Sequence, residues 1–213
     1  VPAILVVSFV TWLLVIGTTE SARVNAVLVL IKIAALTAFI ALTVPVAQAE
    51  NFSPFMPTGG SGVFGAAASI FFAYVGFDAV STAAEETKNP NRNIPIGLIG
   101  SLAICTVFYL LVAYAAVGAM GAQPDGPLSQ SKEPLAFVLR TIGWPHVGNW
   151  VAIAAIVALP SVVLMMIFGQ TRILFTMSRD GLLPEVLSRV HPRFHTPHVV
   201  TWITGVAVSL FAA

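Results

Sequence analysis

From Ile94 to Met120 the chain runs without a charged side chain, and nearly every residue in that run is apolar. About 20 apolar residues, each rising roughly 1.5 Å, cross a hydrocarbon core about 30 Å thick. In that core no water is present to bond peptide groups, so a single segment must satisfy them internally as a helix. Five further stretches share the pattern, and the expected spans are about 1–17, 24–44, 62–84, 94–120, 147–177 and 198–213. The second carries only Lys32, the third only Asp78, and the fifth is uncharged as far as Thr171. The expected fold is therefore an all-α polytopic membrane helix bundle, with residues 1–213 forming one transmembrane domain.

Composition excludes the main alternatives. Of 213 residues, 57% are hydrophobic and 9% charged, where a soluble domain carries about 25% charge. A formal net charge of +1 leaves no basic surface for nucleic acid. Cys105 is the one cysteine and lies inside an apolar run, which excludes a disulfide framework or a cysteine metal centre. No cofactor is expected. Val1-Pro2-Ala3 opens without methionine or a signal-peptide pattern, and the last apolar run is too short to cross. The chain is expected to be an internal piece of a longer protein.

Lys and Arg in short connectors are retained on the cytoplasmic side. Alternate connectors carry Arg23, then Lys88 and Arg92, then Arg179, Arg189 and Arg193; the other set carries only Lys132 and Arg140. The first set is assigned to the cytoplasm. Pro45, Pro54, Pro57, Gly59 and Gly60 punctuate one outer connector, and Pro124, Gly126, Pro127 and Pro134 the other. After Ser178 to Pro184 a turn and a short interfacial helix are expected.

An ionisable group in a span costs about 2.5 to 3.5 kcal/mol on insertion scales and calls for a partner or a job. Lys32 sits too deep to snorkel easily. Its amine should face protein or a wet cavity, either to exchange a proton or as a fixed structural ion. In the third span Gly76 is followed by Asp78, Ser81 and Thr82. A helix broken at Gly76 would bare carbonyls before it and amides after it; an intact helix would use the glycine as a packing notch. In the fifth span Pro160 withholds one backbone bond, and Ser161 can cap freed carbonyls or coordinate an ion.

Other motifs carry less. His191, His195 and His198 have i, i+4, i+7 spacing, but Pro192 and Pro197 break the helix that would align them, which argues against a metal site. Pro57 to Gly62 lacks the Gly-Lys-Ser/Thr of a phosphate loop. Asn51-Phe52-Ser53 fits a glycosylation sequon.

The run Phe71 to Asn93, FFAYVGFDAVSTAAEETKNPNRN, followed by Ile94-Pro95-Ile96-Gly97, resembles the sixth-helix signature of amino acid permeases of the amino acid-polyamine-organocation superfamily. It is most similar to bacterial relatives of the cationic amino acid transporters. Glu20-Ser21-Ala22-Arg23-Val24-Asn25, Gly169-Gln170-Thr171-Arg172 and Arg179-Asp180-Gly181-Leu182-Leu183-Pro184 agree in order and spacing. The resemblance implies helices four to nine of a twelve-helix transporter, built from two inverted five-helix repeats, with a discontinuous helix near Gly76. The first helix, which holds the substrate carboxylate, would lie upstream of Val1.

The resemblance also implies roles. Phe72 matches the aromatic that closes over substrate, and the carbonyls of Phe72 and Val75, beside Gly76, would accept the substrate ammonium. Asp78 matches an acidic position near the pocket, and Leu159 and Leu164 match its wall. Lys32 matches the fifth-helix lysine whose amine takes the place of a sodium ion in proton-coupled members, with Ser161 lining that cation position. Relatives commonly carry a small residue where Pro160 stands. The implied function is secondary active amino acid transport by alternating access, coupled to protons and without enzymatic chemistry. A membrane amino acid sensor, or an exchanger without proton coupling, is the alternative. Partners would be the amino acid substrate, protons and the lipid bilayer of the plasma or bacterial inner membrane, crossed many times; nucleic acid is excluded.

Overall fold

Proline and glycine set most helix limits, as their backbone chemistry requires. In a computed structural model of the chain, which describes residues 2–77, 79–82, 87–124 and 126–211, the long helices are α1 (Pro2–Ile16), α2 (Thr18–Thr43), α3 (Gly59–Phe71), α5 (Pro90–Met120), α8 (Pro145–Arg179) and α9 (His198–Phe211). Short ones are α4 (Ala79–Thr82), α6 (Pro127–Gln130) and α7 (Pro134–Thr141). No strand occurs among the described residues. The fold is an all-α membrane helix bundle. Within it Ser21–Val46, Pro90–Met120 and Pro145–Arg179 are long and apolar enough to cross a membrane; Ala3–Ile16, Gly59–Tyr74 and His198–Phe211 are shorter apolar helices.

Two boundaries differ from the expected spans for physical reasons. Only Gly17 separates α1 from α2, so the stretch expected to connect them is itself helical from Thr18. The backbone ladder runs on across it: the Gly17 amide donates to the Leu13 carbonyl and the Ser21 amide to the Gly17 carbonyl, each at 3.3 Å. The connector before α8 contains α7, with Ala136, Val138 and Leu139 buried. Pro134 stands at its first turn, where the missing N–H costs nothing.

The chain divides into two compact units. One comprises Val1–Val29, Gly76–Leu98 and Ala158–Ala213; the other comprises Leu30–Val75 and Ile99–Val157.

In the first unit, Val7, Val10, Leu13 and Leu14 of α1 pack with Leu164 and Ile167 of α8. Small residues let α1 and α9 approach closely: a Cβ built on Gly205 would come within 2.9 Å of the Thr11 Cβ. The Thr196 hydroxyl donates to the Val15 carbonyl at 2.7 Å, fastening the connector before α9 to the end of α1. At the end of α8, Gly181 has φ +81°, and the amides of Leu182 and Gly181 donate to the carbonyls of Met177 and Ser178 at 2.9 and 3.1 Å. This Schellman arrangement closes the helix. A short 3₁₀ helix, Glu185–Ser188, follows the turn.

In the second unit, Phe39 of α2, Ala115 and Ala116 of α5, Val138 and Leu139 of α7 and Val151 of α8 form the core. The connector after α2 folds onto α5, where the Gln48 amide and the Asn51 side-chain amide both donate to the Gly118 carbonyl at 2.8 and 2.7 Å. The nitrogen that the sequon offers for glycosylation is thus engaged.

Gly205→Leu should lower the thermal midpoint of the purified full-length protein, because overpacking typically costs about 1 to 3 kcal/mol. Gly97→Ala, where a Cβ meets nothing within 4 Å, should leave the midpoint unchanged or raise it slightly.

Candidate functional site

The third apolar stretch is interrupted. Its helix α3 ends at Phe71, tightens into a 3₁₀ turn over Phe72–Tyr74, and gives way at Val75, which is extended at φ −58° and ψ 134°. Gly76 follows with φ +105°. L-side chains rarely adopt that conformation, so glycine is the residue that lets the chain turn here. Helix resumes over Ala79–Thr82. Asp78, an expected site residue, lies outside the described residues.

An interruption in an apolar stretch frees carbonyls that would normally accept from the next turn, and in lipid each one needs a donor. The Val75 amide donates to the Phe72 carbonyl at 3.3 Å. The Tyr109 hydroxyl of α5 donates to the Ala73 carbonyl at 2.9 Å. Tyr74 reaches the same helix, with its hydroxyl 2.8 Å from the Thr106 Oγ1. The Thr106 hydroxyl donates to the Leu102 carbonyl at 2.8 Å, so its single hydrogen is committed and Tyr74 is the donor of the pair. The rings of Tyr74 and Tyr109 meet edge to face at 5.3 Å. All of these contacts lie within the second unit.

Phe72 and Val75 are exposed, Phe72 by 74%. Lys32, in the same unit, is half-buried. On α2 it shares helical spacing with Ala35, Leu36, Phe39 and Thr43, the stripe that enters the core through Ala35 and the fully buried Phe39. Its stem therefore leaves the helix on the side turned to protein. Among the described residues no carboxylate pairs with it.

The remaining candidates lie in the first unit. A Cβ built on Gly76 would meet the Met166 terminal methyl of α8 at 3.3 Å. The helix α8 continues through Pro160, which has no N–H for the carbonyl of Ile156. Ser161, one residue on, is 2% exposed and donates to the Ala158 carbonyl at 2.8 Å. Leu164 is buried in the core of this unit, whereas Leu159 is exposed. The pairs thus grouped are Phe72 with Val75 on the broken helix, Gly76 with α8 through Met166, and Ser161 with Leu164 on one turn of α8.

Sequence reasoning missed Tyr74, Thr106 and Tyr109. Their signal was present: hydroxyls in an uncharged span must find acceptors in the protein, and Thr106 and Tyr109 are one helical turn apart. His191 likewise has a local task, since its Nδ1 accepts from the amides of Arg193 and Phe194 at 3.2 Å. Among the described residues no group of histidine, cysteine or carboxylates could hold a metal ion.

The sequence matches the amino acid permease family over residues 1–213. The chain belongs to that family. This permease chain is 43% identical over 212 residues to the branched-chain amino acid permease BcaP of Bacillus subtilis, covering all of the chain and 45% of that protein. It is 42% identical to the methylthioribose transporter of Bacillus subtilis, covering 98% of the chain and 44% of that protein. It is 38% identical to cationic amino acid transporter 1 of Arabidopsis thaliana, covering 99% of the chain and 35% of that protein. The chain spans less than half the length of these relatives. Family and apolar helices together make it part of a multi-pass membrane protein.

Gly76→Ala should destabilise the full-length protein by about 1 to 2 kcal/mol, the usual penalty for an L-residue in left-handed backbone. Its thermal midpoint should fall below those of the wild type and of Gly100→Ala, where a Cβ meets nothing within 4 Å.

Proposed function

We propose that the full-length protein is a secondary active amino acid transporter that works by alternating access and couples uptake to protons, in the plasma or bacterial inner membrane. The observation that carries this reading is the interruption at Val75–Gly76 within an apolar membrane helix of a permease-family chain. Peptide groups freed there are suited to a zwitterion, because carbonyls accept from an ammonium and need no ionised side chain to do so. The carbonyls of Phe72 and Val75 are the ammonium acceptors, and the Phe72 ring closes over the ligand. Gly76 supplies the turn, and Asp78 influences side-chain or proton selection. On α8, Leu159 and Leu164 are assigned to the pocket wall and Ser161 to the cation position.

Proton coupling is assigned to Lys32. An ammonium inside a bundle can take the place of a metal ion, holding helices together while charged and releasing them when neutral. Its place on the protein-facing stripe of α2 supports that role over one at the lipid surface. Binding without transport, as in a sensor, and exchange without protons are the competing readings.

The cargo is open to a second reading for a specific reason. Two relatives at 43% and 42% identity are named for chemically different cargoes, a branched-chain amino acid and methylthioribose. A thioether sugar has no ammonium, so the carbonyl site predicts that the amino acid is taken up and the sugar is not.

Proteoliposomes bearing the full-length protein should accumulate labelled branched-chain amino acid under an inward proton gradient, and labelled methylthioribose should stay outside. Lys32→Ala should flatten the pH profile of uptake. A variant that keeps the wild-type pH dependence removes Lys32 from the coupling, and binding without flux makes the protein a sensor.

A further inference from the structure

Cutting a helix inside a membrane creates a mechanical problem as well as a chemical one. The end of α3 has lost the hydrogen-bond ladder that would hold its last carbonyls in place. Two adjacent residues at that end, Ala73 and Tyr74, are each tied to α5, and they are tied to residues one helical turn apart, Tyr109 and Thr106. The two bonds differ in kind. Tyr109 donates to the backbone of the broken end, whereas the broken end donates through Tyr74 to Thr106, whose own hydrogen goes to Leu102. Every hydroxyl of the set has an acceptor, and the edge-to-face contact of the two tyrosine rings fixes their separation.

We propose that Tyr109, Thr106 and Tyr74 form a hydroxyl clasp that fixes the carbonyl end of the interrupted helix, so that Tyr109 and Thr106 are positioning residues for recognition of the substrate ammonium. The proposal rests on the reading of the interruption as the substrate site. It adds the device that keeps Phe72 and Val75 in a set geometry: Ala73, whose carbonyl Tyr109 holds, lies between them in sequence, and Val75 bonds back to Phe72 across it. A ligand that needs carbonyls already in place loses apparent affinity in proportion to the fraction of molecules in which they are displaced. One hydrogen bond of ordinary net strength corresponds to a change of roughly threefold to tenfold in the ratio of displaced to held carbonyls. The clasp acts on binding and leaves the later steps of the cycle alone.

The test uses the full-length protein in lipid nanodiscs and proteoliposomes, with Tyr109→Phe, Thr106→Val and Thr106→Ser. Hydrogen–deuterium exchange over residues 71–77 should quicken by roughly threefold to tenfold in Tyr109→Phe and Thr106→Val. The KM for branched-chain amino acid uptake should rise, by at most the same factor, while the maximal rate is kept. Thr106→Ser retains the hydroxyl and should behave as the wild type. Unchanged exchange in both Tyr109→Phe and Thr106→Val overturns the clasp. Faster exchange with an unchanged KM overturns the positioning role. Should Tyr109→Phe fail to fold, Thr106→Val decides both points, since it leaves Tyr109 in place. Wild-type protein that takes up no amino acid defeats the transport reading alone, because exchange still reports on the clasp.

Discussion

A peptide group in hydrocarbon must find its hydrogen-bond partner inside the protein, and the rest of this structure depends on that constraint. It forces long apolar runs into helices, and it makes any departure from helix a costly feature that the surrounding chain must support. The departure here is at Val75–Gly76, and its supports are identifiable: a glycine at φ +105°, an amide returned to Phe72, and a tyrosine hydroxyl from α5 on Ala73. Pro160 makes a second, smaller demand of the same type, with Ser161 buried beside it and bonded to the backbone.

The same rule accounts for packing away from the interruption. Apolar side chains gain little by leaving lipid for another helix, so close approach comes from small residues and from hydroxyls that bond locally. Gly205 against Thr11 and Gly118 against Ala47 are such approaches, one in each unit. Where α8 ends, Gly181 in left-handed backbone closes the ladder. The chain passes from one compact unit to the other at Val75–Gly76, so the interruption in the helix is also a border between units.

Much of this was legible from residue order alone. Uncharged runs gave the helices because length and apolarity act locally. The break at Gly76 was legible as one of two readings, because a glycine followed by polar residues in an apolar run is a local signal. The family resemblance agrees with the match over residues 1–213. The turn around Gly17 was not legible, since the amides of Gly17 and Ser21 carry the helical ladder on through a stretch whose charges suggested a connector. The helix α7 was obscured by Pro134, which in fact begins it. Tyr109 and Thr106 were missed because their partners are more than thirty positions away, and only the folded chain brings hydroxyl and carbonyl together. The engagement of Asn51 by Gly118 was hidden for the same reason.

The most direct test of the central claim is an electron cryo-microscopy map of the full-length protein in the presence of a branched-chain amino acid. The account predicts the ligand ammonium within hydrogen-bond distance of the carbonyls of Phe72 and Val75, with the helix open at Gly76 and Tyr109 on Ala73. A ligand seated elsewhere, against a third span wound without a gap past Gly76, would contradict it.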